Sequence, residues 1–144
     1  MKLALITGSS GHVGSNLIRK LSKLDYKIRC IDFDGDHRAY EGFDVEIIKG
    51  DITNKESLSP IFEDVDVVFH TAALINLDRR FREAIETVNI EGTRNVCEVA
   101  LEKGINKLIH FIVFQLMNLC LKIESLLRTK KVCLMTSPKL RVRE

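Results

Sequence analysis

Lys2-Leu-Ala-Leu-Ile-Thr7, followed by Gly8-Ser-Ser-Gly11-His-Val-Gly14, decides the fold. The first six residues form a short apolar run, rich in β-formers, that ends in glycines; this is how a buried strand feeds a tight turn. Beyond the turn, Val13, Leu17, Ile18, Leu21 and Leu24 return at helical spacing with polar residues between them, so the turn opens a helix. A glycine pattern alone is a weak signal, and this strand-to-helix context makes it a strong one. Gly8 permits the turn, Gly11 lets the backbone approach a pyrophosphate, and Gly14 lets helix pack against strand. The helix start also presents free N–H groups and the positive end of a dipole. Gly8, Ser10, Gly11, His12, Val13 and Gly14 are therefore the expected anion-binding turn.

Working outward, residues 26–32, 45–49, 65–70 and 107–113 read as further strands. Residues 57–63 read as a short helix and 82–103 as a long one ended by Gly104. Strands alternating with helices predict an α/β fold, a Rossmann-type doubly wound parallel sheet with right-handed crossovers. Asp32 closes the second strand, 18 residues after Gly14, where a carboxylate accepts hydrogen bonds from adenosine ribose hydroxyls and repels a 2′-phosphate. With Asp34 close by, NAD is the expected cofactor; Arg38 keeps NADP as the alternative.

The chain has 144 residues, 45% hydrophobic and 29% charged, a balance that fits one soluble domain and excludes a disordered chain. Its net charge of +2 conceals an asymmetry. Residues 113–144 hold seven Lys/Arg and two Asp/Glu, which leaves fifteen basic and eighteen acidic groups in residues 1–112. The basic stretch lacks interleaved aromatics, so no nucleic-acid partner is expected. The apolar run at 111–121 falls short of the roughly 20 residues that span a bilayer, so no membrane partner is expected either. Cys30, Cys97, Cys120 and Cys133 show neither metal-ligand nor disulfide-scaffold spacing, and the N-terminus has no signal-peptide pattern. A cytoplasmic location is expected. His70 and His110 lie on strands with no second ligand at useful spacing and read as core histidines, with no metal site.

Four segments together resemble one family: Thr7-Gly-Ser-Ser-Gly-His-Val-Gly14, Gly50-Asp-Ile-Thr53, His70-Thr-Ala-Ala73 and Val88-Asn-Ile-Glu-Gly-Thr-Arg-Asn-Val96. They are similar to the extended short-chain dehydrogenases, within them the NAD-dependent epimerases/dehydratases and dihydroflavonol-reductase-like members. The resemblance covers residues 1 to about 112. It implies that Asp51 bonds the adenine amino group, that Ile52 packs on the ring, that Thr71, Ala72 and Ala73 line the cofactor, and that Asn89 ties the fourth strand to the long helix. Taken singly, each has an ordinary structural explanation: a turn Asp, small residues at a strand end, a locally bonded helix Asn.

The chain departs from the family after the fifth strand. Where the family places catalytic serines, Ile112-Val-Phe114 follows His110-Phe111. The family's acid/base pair is Tyr-x-x-x-Lys, yet the only tyrosines are Tyr26 and Tyr40, neither with Lys four residues on. No catalytic residue is assigned, and a small-molecule substrate is expected only for full-length relatives. Residues 113–144 are expected to be a non-family basic tail, with apolar spacing that admits an amphipathic helix over 115–131, and the sheet to stop after about its fifth strand, which favours self-association. The tail also reads as a frame-shifted catalytic segment. Shifted back one nucleotide, Leu134-Met-Thr-Ser-Pro-Lys-Leu140 forces Asp at the Met135/Thr136 junction and permits Tyr-Asp-x-Ser-Lys-Ala around it. Two functions compete: a truncated epimerase/dehydratase or reductase, and a non-catalytic NAD-binding or interaction module.

Overall fold

A computed structural model describes residues 1–33, 37–75, 78–112, 132–136 and 139–140. Its sheet is built on β1 (Lys2–Thr7), β2 (Tyr26–Asp32), β3 (Glu46–Lys49), β4 (Val67–His70) and β5 (Leu108–Ile112), all parallel, in the order β3-β2-β1-β4-β5. This is the expected doubly wound α/β arrangement. Central β1 is buried on both faces: Ala4, Leu5 and Ile6 are each 0% exposed. Alternation then divides the core. Leu5 joins Ile31, Phe62, Val68, Val96 and Val99 on one face, while Ala4 and Ile6 join Ile18, Leu21, Ile28 and Tyr40 on the other. Each fully buried aliphatic side chain contributes roughly 1.5–3 kcal/mol, so the sheet centre is the stable part of the domain.

The first face is covered by α2 (Lys55–Leu58), continued by a 3₁₀ turn at Ser59–Phe62, and by the long helix. Pro60, which has no N–H to donate, falls in that tighter turn and breaks the single helix expected over 57–63. The opposite face is covered by α1 (His12–Leu21). The long helix is not uniform: α3 (Arg82–Glu86) passes through a π turn at Thr87–Gly92 into α4 (Thr93–Glu102). Gly104, at φ +70°, ends it as expected.

Two short strands follow the five-strand unit. β6 (Val132–Thr136) lies parallel to β5, with His110 in register with Leu134, and β7 (Lys139–Leu140) runs antiparallel to β6. The helix anticipated at 115–131 falls outside the described residues.

Candidate functional site: a dinucleotide crevice

The strand order reverses between β1 and β4, whose helical crossovers leave on opposite faces, and in such sheets the crevice outside the carboxyl ends of these two strands is where ligands bind. Gly8 opens one wall of that crevice and Thr71-Ala72 the other. They meet closely: Gly8 sits at φ +65°, and a Cβ there would lie 2.5 Å from Ala72 Cα. Thr71 fastens the contact, its Oγ1 donating to Thr7 O at 2.7 Å and its N–H to the same carbonyl at 3.1 Å. Across the turn, a Cβ on Gly14 would fall 2.4 Å from Gly8 O and 2.6 Å from Ser9 Cα. Only glycine fits either position, and the result is a turn packed closely on the segment after β4.

That loop delivers an exposed helix start. Gly11 is the N-cap of α1 and donates its N–H to Gly8 O at 3.1 Å; it has no side chain to cap the helix, and no acidic residue occupies the first turn. Ser10, Gly11, His12 and Val13 are exposed, whereas Ser9 and Gly14 are buried. The start of α1 thus carries neither a capping side chain nor an acidic residue of its own first turn, and it lies at the crevice with its positive dipole end, as a phosphate or pyrophosphate requires.

Asp32 stands at the end of β2, 5% exposed. Its Oδ2 accepts a 2.5 Å hydrogen bond from the Tyr40 hydroxyl, and the same hydroxyl lies 2.8 Å from Ser9 Oγ. Burial, and then the bond to Asp32, push the Tyr40 phenol up, so it stays protonated and donates. Sequence reasoning missed Tyr40, because nothing in a spacing of eight residues across a loop announces that contact.

Asp51 follows β3, with Oδ1 accepting from both Thr53 N and Thr53 Oγ1 at 2.8 Å, an Asx turn that stiffens the loop. Ile52 is buried in the core; a Cβ on Gly92 would come within 2.7 Å of its Cδ1, so the missing side chain lets the long helix close on this loop. Asn95 completes the attachment by donating to Ile52 O and Thr53 O at 3.0 and 3.1 Å. Asn89, inside the π turn, accepts from Leu74 N at 2.8 Å and donates to Leu74 O at 2.9 Å, binding the segment after β4 to the long helix. Ala72 and Ala73 are half-buried beside it. The residues expected at the cofactor therefore lie at the carboxyl ends of β1–β4, on the start of α1 or on the long helix that braces them.

Among the described residues, the two strand histidines and two cysteines are buried. His70 is fully buried between Thr7 Oγ1 (2.6 Å) and Thr93 Oγ1 (2.9 Å), and its ring stacks on that of His110 with centroids 4.7 Å apart. Burial, reinforced by the neighbouring His110, holds His70 well below the usual histidine range; burial takes His110 down to about 4. Both rings are neutral structural members. Burial likewise raises the Cys30 and Cys97 thiols to about 12. Tyr26 lines a separate concavity with Met1, Leu24, Phe43 and Asp66, around the start of β2 and away from the crevice. Among the described residues no group of three His, Cys, Asp or Glu could hold a metal ion, and no helix is long and apolar enough to cross a membrane.

Fold and turn define an α/β dinucleotide-binding unit, and comparison with known proteins gives the lineage. The model of the 3-beta hydroxysteroid dehydrogenase/isomerase family matches residues 5–117. The chain belongs to that family, within the extended short-chain dehydrogenases and NAD-dependent epimerases/dehydratases. It is 34% identical over 107 residues to sterol demethylase protein B of Methylococcus capsulatus, covering 74% of this chain and 33% of that protein. It is 34% identical over 114 residues to a UDP-N-acetyl-alpha-D-glucosaminuronate decarboxylase of Bacillus cytotoxicus, covering 75% of this chain and 35% of that one. The chain thus spans about a third of the length of the curated relatives it matches. Among solved structures, the Bordetella bronchiseptica enzyme WbmG, crystallised in complex with NAD and UDP, is 27% identical with a TM-score of 0.69, covering 77% of this chain and 37% of that one. The UDP-Glc/GlcNAc 4-epimerase of Campylobacter jejuni shares the fold, with a TM-score of 0.80 over 94% of this chain and 53% of its own, at 18% identity. What this chain shares with its relatives is the NAD-binding Rossmann portion.

Proposed function

We propose that this chain binds NAD by its adenosine and pyrophosphate, and that residues 1–112 form the binding unit. The supporting observation is the exposed start of α1, where Gly11 offers no capping side chain, on a turn that Gly8 and Gly14 let pack closely against Ala72 and against its own backbone. Gly8, Ser10, Gly11, His12, Val13 and Gly14 hold the pyrophosphate; Asp32 takes the ribose hydroxyls and disfavours NADP. Asp51, Ile52, Thr71, Ala72 and Ala73 border the adenine and the middle of the cofactor, and Asn89 keeps the last three in place.

These 144 residues do not supply an acid/base for hydride transfer. Tyr40 is committed to Asp32 and Ser9, and Tyr26 lies at the far end of the sheet. The Tyr-x-x-x-Lys pair that the family resemblance implies for full-length relatives does not occur in these residues, and residues 113–144 read as a frame-shifted version of that segment. The underlying nucleotide sequence tests this: a shifted frame with no Tyr-x-x-x-Lys, or with stop codons, favours a non-catalytic NAD-binding module. Calorimetric titration with NAD, NADH and NADP tests the binding site. Asp32→Ala should weaken NAD roughly tenfold or more, since a hydrogen bond to a charged group contributes about 1.5–3 kcal/mol. An Asp32→Ala protein that binds NAD as tightly as the parent removes Asp32 from the site. The same protein should not consume NADH with ketone or nucleotide-sugar substrates.

A further inference from the structure

The geometry points to Tyr40 as a positioning residue: together with Ser9 it braces the Asp32 carboxylate against the glycine-rich turn, so that ribose and pyrophosphate are gripped by one hydrogen-bonded unit. This rests on the NAD site proposed above and adds to it a residue that no cofactor atom need touch.

Three side chains make the unit. Ser9 belongs to the turn itself, lying between Gly8 and Ser10, and is 0% exposed. Tyr40 is 4% exposed and arrives on the 3₁₀ turn His37–Tyr40, its ring packed in the core cluster that also holds Ala4, Ile6, Ile18 and Cys30. Asp32 is the third. A tyrosine hydroxyl has one proton, and the 2.5 Å bond to Asp32 Oδ2 uses it. The proton between Tyr40 and Ser9, 2.8 Å apart, is therefore the serine's, while Ile31 O at 3.2 Å from Ser9 Oγ is a weaker second acceptor. Both donors in the relay point the same way, from the serine of the turn to the phenol and from the phenol to the carboxylate. Each bond in such a chain polarises the next, and the last one is charge-assisted.

The consequence for binding is orientation. A carboxylate that receives two ribose hydroxyls must hold its plane, and a donor fixed on Oδ2 sets that plane from a rigid point in the core. The far end of the relay is anchored in the very loop that carries the pyrophosphate. A phenylalanine at position 40 would fill the same core space, so the hydroxyl is present for its two polar partners and not for packing.

Calorimetry with ADP and with 2′,3′-dideoxy-ADP separates orientation from general loosening, because the second ligand has no ribose hydroxyl for Asp32 to hold. Tyr40→Phe should weaken ADP about tenfold, the scale of one charge-assisted hydrogen bond, and weaken the dideoxy ligand less than about twofold. Ser9→Ala, which acts from the other end and carries the comparison alone if Tyr40→Phe fails to fold, should show the same ligand dependence. The double variant should be no worse than Tyr40→Phe by itself. Equal loss on both ligands, additive losses in the double variant, or unchanged ADP binding would overturn the brace. A parent protein that binds neither ADP nor NAD overturns the binding site as well.

Discussion

Acidification from pH 7.5 to 5 should destabilise this fold by at least about 2 kcal/mol through His70 and His110. An unfolded histidine takes up a proton near pH 6.5. In the folded chain both imidazoles resist it: burial dominates for each, His70 is pushed further by its stacked neighbour, and His110 comes down to about 4 despite its 3.3 Å hydrogen bond to His70 O. Between those two values the unfolded chain binds more protons than the folded one, so stability is complete above about pH 6.5 and is lost as pH falls toward 4. For His110 alone the gap corresponds to about 3 kcal/mol in full, of which about 2 is gone by pH 5. His70 acts in the same direction. Urea unfolding followed by circular dichroism at several pH values measures the slope, with constant m confirming that the unfolded state is unchanged. One proton corresponds to about 1.4 kcal/mol per pH unit and two to about 2.7, and the parent should lie between these from pH 6 to 5. His110→Phe keeps an aromatic ring on His70 but cannot titrate, so its slope should fall by roughly one proton. Stability that stays flat from pH 7.5 to 5, or a variant with the parent's slope, would refute the role given to the pair.

Gly14→Ala places a methyl within 2.6 Å of two backbone atoms of the turn; it should abolish NAD binding and lower stability by roughly 1–3 kcal/mol, read by calorimetry and thermal melting. Asn89→Ala strands both backbone groups of Leu74, so about 1–3 kcal/mol should be lost and the Leu74 amide should exchange faster with deuterium. Removing residues 114–144 takes β6 and β7 off the edge of β5, and should raise both apolar-dye binding and concentration-dependent association. Unchanged dye binding would mean that this stretch adds nothing to the sheet.

The strands were legible because the central ones, β1 and β4, are largely buried and announce themselves as compact apolar runs, and the turn was legible because glycine alone tolerates the contacts at positions 8 and 14. The rest depended on contacts remote in sequence. Tyr40 reaches Asp32 only after the chain has turned, and a tyrosine without a lysine four residues on looks idle. The π turn left no mark on helical periodicity, since Val88, Val96, Val99 and Ala100 are compatible with an unbroken helix over 82–103. Val132–Thr136 carries the apolar run of a strand, but its surroundings lack the glycines that set off the earlier strands.

The π turn at Thr87–Gly92 amounts to a phase shifter. A π turn takes up one residue more than an α turn, and one α-helical residue corresponds to a rotation of about 100° about the helix axis. The shift lets one helix address two fixed objects that a regular helix would present out of step: the Leu74 backbone, met by Asn89, and the sheet, met by Val96, Val99 and Ala100. Deleting a single residue between 87 and 92 would restore regular geometry and swing one of those faces away by about a quarter turn. Length in this short stretch is therefore constrained alongside the identities of Asn89 and Gly92.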